Sequence, residues 1–366
     1  MRLARSERIV AQMARFALVA SFVILMAAGG LGCGGTSSKA GAGGAGVSSS
    51  GTGGHPDGGL PDATGGAAGA GGAAGAGGAA AGAGGAAGGD AGTDSGHCDG
   101  GVPDPTTAPA TIDVSCFVPT FDDDFLTYDI SSGPVDDGNF PNERWFNGTE
   151  QCCLSPSDGS HSANYPTPSP SGPVNPYTLI PGGGLQIMLQ KLGDTWYSGV
   201  MTSVDKNGNG FSQKYGYIEY SAKLAPGTGT WPGLWMLSMP LGAQGGEIDI
   251  LEQYGGNPPL NPDSYTHFQT TLHDWTNTSL SVEHTVSGQP DLTAGYHRFG
   301  LLWGPTYTAV YVDAKLAWST PTLAIMKRPY YLLADMGLGS GWTTTQTPNP
   351  SDLLIKYIRA YSVPGF

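Results

Sequence analysis

The sequence predicts an all-β sandwich behind a long segment that cannot pack, and three observations carry that prediction. Beyond residue 110, short apolar or alternating stretches are separated by clusters of Gly, Pro, Asn and Ser, the rhythm of strands and tight turns. No long stretch there repeats its apolar residues at helical spacing. The chain has 366 residues with 60 Gly, and residues 34–97 are almost wholly Gly, Ala, Ser and Thr. Such a segment buries too little apolar surface to offset its ordering entropy. What is left, about 110–366, suits one large domain.

At the N-terminus, Arg2, Arg5, Arg8 and Arg15 precede an apolar stretch from Phe16 to about Ala28. That stretch is too short for a comfortable membrane span and reads as a secretory signal. Leu31-Gly32-Cys33 resembles a bacterial lipoprotein cleavage box with Cys33 as the acylated first mature residue, although Gly30 stands where a Leu is usual. Residues 1–32 are therefore expected to be a lipoprotein-type signal peptide, 33–110 a flexible tether and 111–366 the folded domain. The protein is expected to be exported, either secreted or held at the bacterial cell surface, its membrane contact confined to the lipid on Cys33. Beyond Cys33 stand Cys98, Cys116, Cys152 and Cys153, an even number that in an exported chain reads as two disulfides. A bridge between the adjacent Cys152 and Cys153 would be strained, so each is expected to pair with one of Cys98 and Cys116.

Within the domain the clearest strands are 185–190, 216–223, 234–239, 247–253, 267–273, 299–303, 308–313, 330–335 and 353–361. The run 205–210, Asp-Lys-Asn-Gly-Asn-Gly, imitates the start of a calcium-binding EF loop, but Gly216 stands where the closing bidentate Glu is required. A hairpin turn built on Asn-Gly is expected there instead.

The run 246–252, Gly-Glu-Ile-Asp-Ile-Leu-Glu, puts three carboxylates into an otherwise apolar strand. Buried carboxylates are costly, so their presence needs a reason. Glu247 and Asp249 share one face of a pleated strand, with Ile248 and Ile250 behind it. Glu252 is out of phase, and a single-residue bulge after Asp249 would return it to that face. Two carboxyl groups so placed would lie about 5–5.5 Å apart, the spacing of a retaining glycoside cleavage. Trp231 and Trp235, one strand earlier, also share a face. Their indoles suit the apolar faces of sugar rings, as does Trp275 at a strand end.

The net charge of −14, with 16 basic residues that form no cluster in the mature region, argues against nucleic acid and sulfated polymers as ligands. A neutral polysaccharide fits better.

Glu247-x-Asp249-x-x-Glu252 after a small-residue turn resembles the active-site strand of glycoside hydrolase family 16, laminarinase type. The resemblance extends to Tyr215-Gly216-Tyr217-Ile218-Glu219 with Lys223, to Trp231-Pro232-Gly233-Leu234-Trp235, to Thr271-Leu272-His273, to 296–303, to Tyr311-Val312-Asp313 and to the closing 357–361, in the family's order. It covers about residue 121 to the C-terminus and implies a concanavalin A-like jelly roll with an open groove. By position it implies Glu247 as nucleophile, Glu252 as acid/base, Asp249 as the acid between them, and His273 as a polar partner beside them. Glu219 and Lys223 resemble a strand pattern that implies an ion pair or a groove-edge contact. The structural calcium of many members is put in doubt by Lys356 at the place of its Asp, so no metal and no cofactor are expected. The two residues between Asp249 and Glu252 resemble the laminarinase-type branch, whereas one residue is more usual in lichenases and xyloglucan-active members. The resemblance implies a β-1,3- or mixed β-1,3/1,4-glucan as substrate, though agar- and carrageenan-active members share the longer form. The alternatives are hydrolysis or transglycosylation of another polysaccharide such as a galactan or xyloglucan, or non-catalytic carbohydrate binding. A monomer is expected.

Overall fold

A computed structural model describes residues 103–131, 144–148, 163–164, 174–241, 245–255, 264–340 and 342–366. The signal segment, most of the tether, Cys33, Cys98, Cys152 and Cys153 lie outside the described residues.

The described chain is a sandwich of two sheets. In order, its strands are β1 (Val118–Asp123), β2 (Phe146–Asn147), β3 (Ala163–Asn164), β4 (Tyr177–Leu179), β5 (Leu185–Leu192) and β6 (Thr195–Tyr197). Then come β7 (Val200–Thr202), β8 (Ser212–Gln213), β9 (Gly216–Lys223), β10 (Thr230–Ser238), β11 (Gly246–Glu252) and β12 (Phe268–Asp274). The last are β13 (Val282–Val286), β14 (His297–Trp303), β15 (Tyr307–Val312), β16 (Lys315–Pro321), β17 (Tyr330–Leu338) and β18 (Ser351–Ser362). The first sheet runs β16, β15, β14, β9, β18, β5, β6, β3, with β1 also on β18 and β4 on β5. The second runs β13, β12, β11, β10, β17, β7, β2, with β8 also on β17. Pairing between these strands is antiparallel apart from β3 with β6.

Every strand expected from the sequence is present. The elements that sequence reading did not single out are short, as β2, β3, β7 and β8 are, or lie at the margins of the fold, as β1, β13 and β16 do.

Strand alternation divides the side chains between core and outer faces. From β17, Tyr330, Leu332, Ala334, Met336 and Leu338 enter the main core, together with Leu234 and Met236 of β10. Facing them from the first sheet are Ile218, Tyr220 and Ala222 of β9, and Leu353, Ile355, Ile358 and Ala360 of β18. Full burial of each large apolar side chain contributes about 1.5–3 kcal/mol, and this interlayer core fixes which face of the second sheet looks outward.

On the outer face of the first sheet, Tyr217, Leu302, Tyr307 and Tyr311 form a second cluster under Ile112, Cys116 and Phe117 of the entering segment. That segment is tied down through its backbone. Tyr311 donates its hydroxyl to the Pro109 carbonyl at 2.9 Å, and Leu316 N donates to Ala110 O at 2.9 Å. Residues 103–110, assigned from composition to the tether, thus hold to the sandwich by carbonyl pairing rather than by large side chains. Cys116 is buried and disulfide-bonded, and its partner lies outside the described residues. Glu219 also belongs to this outer face. It accepts hydroxyls from Tyr217 and Tyr357, both at 2.7 Å, with Arg298 Nη1 at 4.0 Å, so it makes no groove-edge contact.

The Asn-Gly run forms the expected turn. Asp205 Oδ1 accepts Asn207 N and Asn209 N at 2.8 Å each, and Gly208 and Gly210 take positive φ of 81° and 128°. Lys356 is exposed on β18.

Candidate active site

β11 lies between β10 and β12, near the middle of the second sheet. Its pairing with β12 shifts register between Asp249 and Glu252, and its pairing with β10 shifts between Leu234 and Trp235. A bulge puts two consecutive side chains on one side. Ile250 and Leu251 are both fully buried in the main core, and Glu247, Asp249 and Glu252 share the outer face. Across the neighbours, Glu247 stands opposite Leu237 and His273, Asp249 opposite Trp235 and Thr271, and Glu252 opposite Gly233 and Gln269.

Glu247 and Glu252 are each held by an indole donor. The Trp275 indole Nε1 donates to Glu247 Oε2 at 3.0 Å. The Trp231 indole Nε1 donates to Glu252 Oε1 at 2.9 Å, and the Tyr254 hydroxyl also bonds Glu252. His273 Nε2 stands 3.1 Å from Asp249 Oδ2, and Asp249 shares a hydrogen bond with Glu247. Trp275 is 39 % exposed and stacks flat on His273, ring centroids 4.5 Å apart and planes at 9°. The Trp231 ring lies 5.8 Å from that of Tyr254. Trp235 is on the same face but only 7 % exposed, packed with Val204, Leu237, Tyr331 and Leu333.

Burial and like charge set the electrostatics. Burial first, then Asp249, push the Glu247 carboxyl well above its ordinary range, against the pull of His273 and the Trp275 N–H. Asp249 is 3 % exposed and is raised well above its range by burial, then by Glu252. Burial raises Glu252 too, tempered by His273, Trp231 and Tyr254. Burial and like charge shift the ionisation of such a cluster upward, so that it favours holding a proton at pH values where free carboxyls have lost theirs. One face then presents both a carboxylate and a carboxylic acid, the two forms that acid–base and nucleophilic work on one bond requires. Ligand atoms of Glu247, Asp249 and His273 lie within 4.8 Å of one another, the one convergence able to hold a metal ion among the described residues.

All seven groove residues expected from the sequence therefore share one face. Tyr254 and Asp335 also belong to it, and the sequence held a signal for each. Tyr254 follows Glu252 at the strand's two-residue period, and Asp335 is an acid inside the apolar strand β17.

The sequence model described as "Glycosyl hydrolases family 16" matches residues 180–353. Endo-1,3-1,4-beta-glycanase EglC of Rhizobium meliloti is 26% identical over 262 residues, 69% of this chain and 53% of that protein. Glucan endo-1,3-beta-glucosidase A1 of Niallia circulans is 28% identical over 185 residues, 45% of this chain and 26% of that protein. The chain thus spans about half, or less, of the length of these curated relatives. Among solved structures, the laminarinase catalytic domain of Thermotoga petrophila RKU-1 superposes with a TM-score of 0.52 at 23% identity, over 68% of this chain and 99% of that one. That of Thermotoga maritima MSB8 gives 0.51 at 23%, over 67% and 98%. The shared architecture is the jelly-roll sandwich.

Proposed function

We propose that the chain, matched over residues 180–353 by the glycosyl hydrolases family 16 model, is a glycoside hydrolase of that family, a retaining endo-β-glycanase cutting internal bonds of a neutral β-glucan, β-1,3- or mixed β-1,3/1,4-linked. The observation that carries this reading is the pair Glu247 and Glu252 on one face of β11, either side of the bulge, each held by an indole N–H from a different element.

In the first step Glu247 attacks the anomeric carbon while Glu252 gives its proton to the departing glycosidic oxygen. The products are a glycosyl-enzyme ester and a shortened chain with a free hydroxyl. In the second step Glu252 takes a proton from water, whose oxygen displaces Glu247, so the configuration is retained. Asp249 shares a hydrogen bond with Glu247; with Glu247 ionised for attack the shared proton lies on Asp249, and the Glu247 charge favours the protonated form of Glu252 that the first step needs. The N–H of Trp275 and the N–H of Trp231 orient the two carboxyl groups. The cycle balances with carboxyl groups and water, so the proposal includes no metal or cofactor.

The exposed indole of Trp275 and the half-buried Trp231 flank the acids and offer sugar rings a stacking surface, with His273 as a polar neighbour. The acids would repel sulfate groups. The relatives named for β-1,3 and mixed β-1,3/1,4 linkages favour those two bonds. We place the enzyme outside the cytoplasm as a monomer, on a Gly/Ala tether anchored by lipid at Cys33 or released.

Proton NMR of the first product from a β-glucan tests the mechanism. The β-anomer is expected before mutarotation, and an initial α-anomer overturns the reading. Product profiles on laminarin, lichenan, agarose, carrageenan and xyloglucan then fix the linkage.

A further inference from the structure

Asp335 is the one carboxylate in β17, and strand alternation puts it on the outer face with Glu247, Asp249 and Glu252. It stands across β10 from Glu252. Gly233 is the residue between them, opposite Asp335 on one side and Glu252 on the other. A Cβ on Gly233 would lie 2.6 Å from Asp335 Oδ1 and 3.3 Å from Trp235 Cδ1. The bare glycine therefore leaves room for Trp235 Nε1 to donate to Asp335 Oδ1 at 2.9 Å. Gly337, two residues on and opposite Trp231, likewise puts no side chain beside Oδ2, from which its Cβ would stand 3.3 Å. One carboxyl oxygen is thus engaged, and the other borders a strip floored by glycines beside Trp231.

An ionised group at this place would be poorly supported. Asp335 is 6 % exposed, and its hydrogen-bond donor among the described residues is a neutral indole. The titratable groups facing it are Glu247, Asp249 and Glu252 from β11, His273 from β12 beyond them, and the Tyr177 hydroxyl from β4. β10 and β7 bring only Trp231, Gly233, Trp235, Val200 and Thr202 to its vicinity, none of them charged. Burial and like charge both favour the proton. Burial first, and then the Glu252 and Glu247 charges, hold the Asp335 carboxyl well above its usual range.

We propose that Asp335 is a further substrate-binding residue, a neutral carboxylic acid that holds Trp235 through Oδ1 and donates its Oδ2–H to an oxygen of a sugar seated over Gly337 beside Trp231. No bond is made or broken, and the proton stays on Asp335. The contact to sugar rests on the glycanase reading above, whereas the neutral state does not. It extends the recognition surface from β11 across β10 to β17.

Two measurements test it. Infrared difference spectra between wild type and Asp335→Asn, without substrate in near-neutral buffer, should show a protonated carboxyl band that only wild type possesses. A carboxylate band in its place overturns the proposal. In kinetics on a β-glucan, Asp335→Ala should lower kcat/KM about tenfold or more, from the lost donor and the freed indole. Asp335→Asn should recover most of that loss, because its carboxamide accepts from Trp235 at one atom and donates at the other. An Asn variant as impaired as the Ala variant would mean that the site uses the ionised form, and the proposal fails. Should wild type cleave no polysaccharide, the glycanase reading and the sugar contact fall together, while the infrared spectra still decide the protonation of Asp335.

Discussion

Glu247 shows at residue scale what a buried carboxyl in an acidic cluster costs the fold. Below the ordinary carboxylate range both the folded and the unfolded chain hold its proton, and the group is neutral to stability. As pH rises, the unfolded chain releases that proton first, because burial and Asp249 have raised the folded value. The native state then binds more protons than the unfolded one, so stability falls with pH through this window and the loss is complete above the folded value. Asp249 and Glu252 are raised for similar reasons and add to the same slope. Glu247→Gln, which cannot titrate, should melt higher than wild type at neutral pH by roughly 2–4 °C and lose that advantage in acid. Calorimetry across pH checks this, and equal melting at neutral pH would contradict it. The same change should reduce hydrolysis by about a thousandfold or more, the usual opposition between stability and activity in a working site. A non-catalytic carbohydrate binder would show the stability gain alone. Glu252→Ala should cost about 10²–10⁴ in rate on natural glucans but little on aryl glycosides with good leaving groups, which depart with little protonation. Equal losses on both would remove Glu252 from the acid/base role.

At the scale of an element, the bulge in β11 decides where the acids point. Two residues between Asp249 and Glu252 would, in a regular strand, turn Glu252 into the core. The register shift absorbs one of them, and Ile250 and Leu251 point inward together. Substituting each by Ala should therefore cost a core-sized amount, about 2–5 kcal/mol. Regular alternation would make one of the two cheap, so denaturant unfolding of both variants separates the cases. β10 shows the complementary device. Its Gly233 carries no side chain between Glu252 and Asp335, and Trp235 lays its indole into that space.

For the whole molecule, the two outer faces do different work. The second sheet's outer face carries the acids and indoles, and the first sheet's outer face is covered by the entering segment around Cys116 and Phe117. The sandwich core separates them. Reducing the Cys116 disulfide should therefore lower thermal stability, by about 2–5 kcal/mol, with little effect on the initial rate at room temperature. Melting curves and rates with and without reductant check this; a parallel fall in rate would mean that the staple reaches the site. β1 pairs with β18, joining the two ends of the described chain, and β17 reaches β11 through β10. Such distant pairings form slowly and late.

The acidic face of β11, the strand pattern and the turn at Asp205 were legible in the sequence, because each depends on residues a few positions apart and on the two-residue period of a strand. The same reasoning put Trp231 and Trp235 on one face, but only packing showed that Trp235 is covered while Trp231 reaches Glu252. Trp275, His273 and Asp335 come to the acids from β12 and β17, at distances along the chain that no local period encodes. What the sequence determined by itself was the composition of each face. Which faces meet, and in what register, was decided by the tertiary structure, since the interlayer core fills only when Leu234, Met236, Ile248, Ile250 and the even-numbered residues of β17 all point inward, and that one packing condition turns Glu247, Glu252, Trp231 and Asp335 outward together.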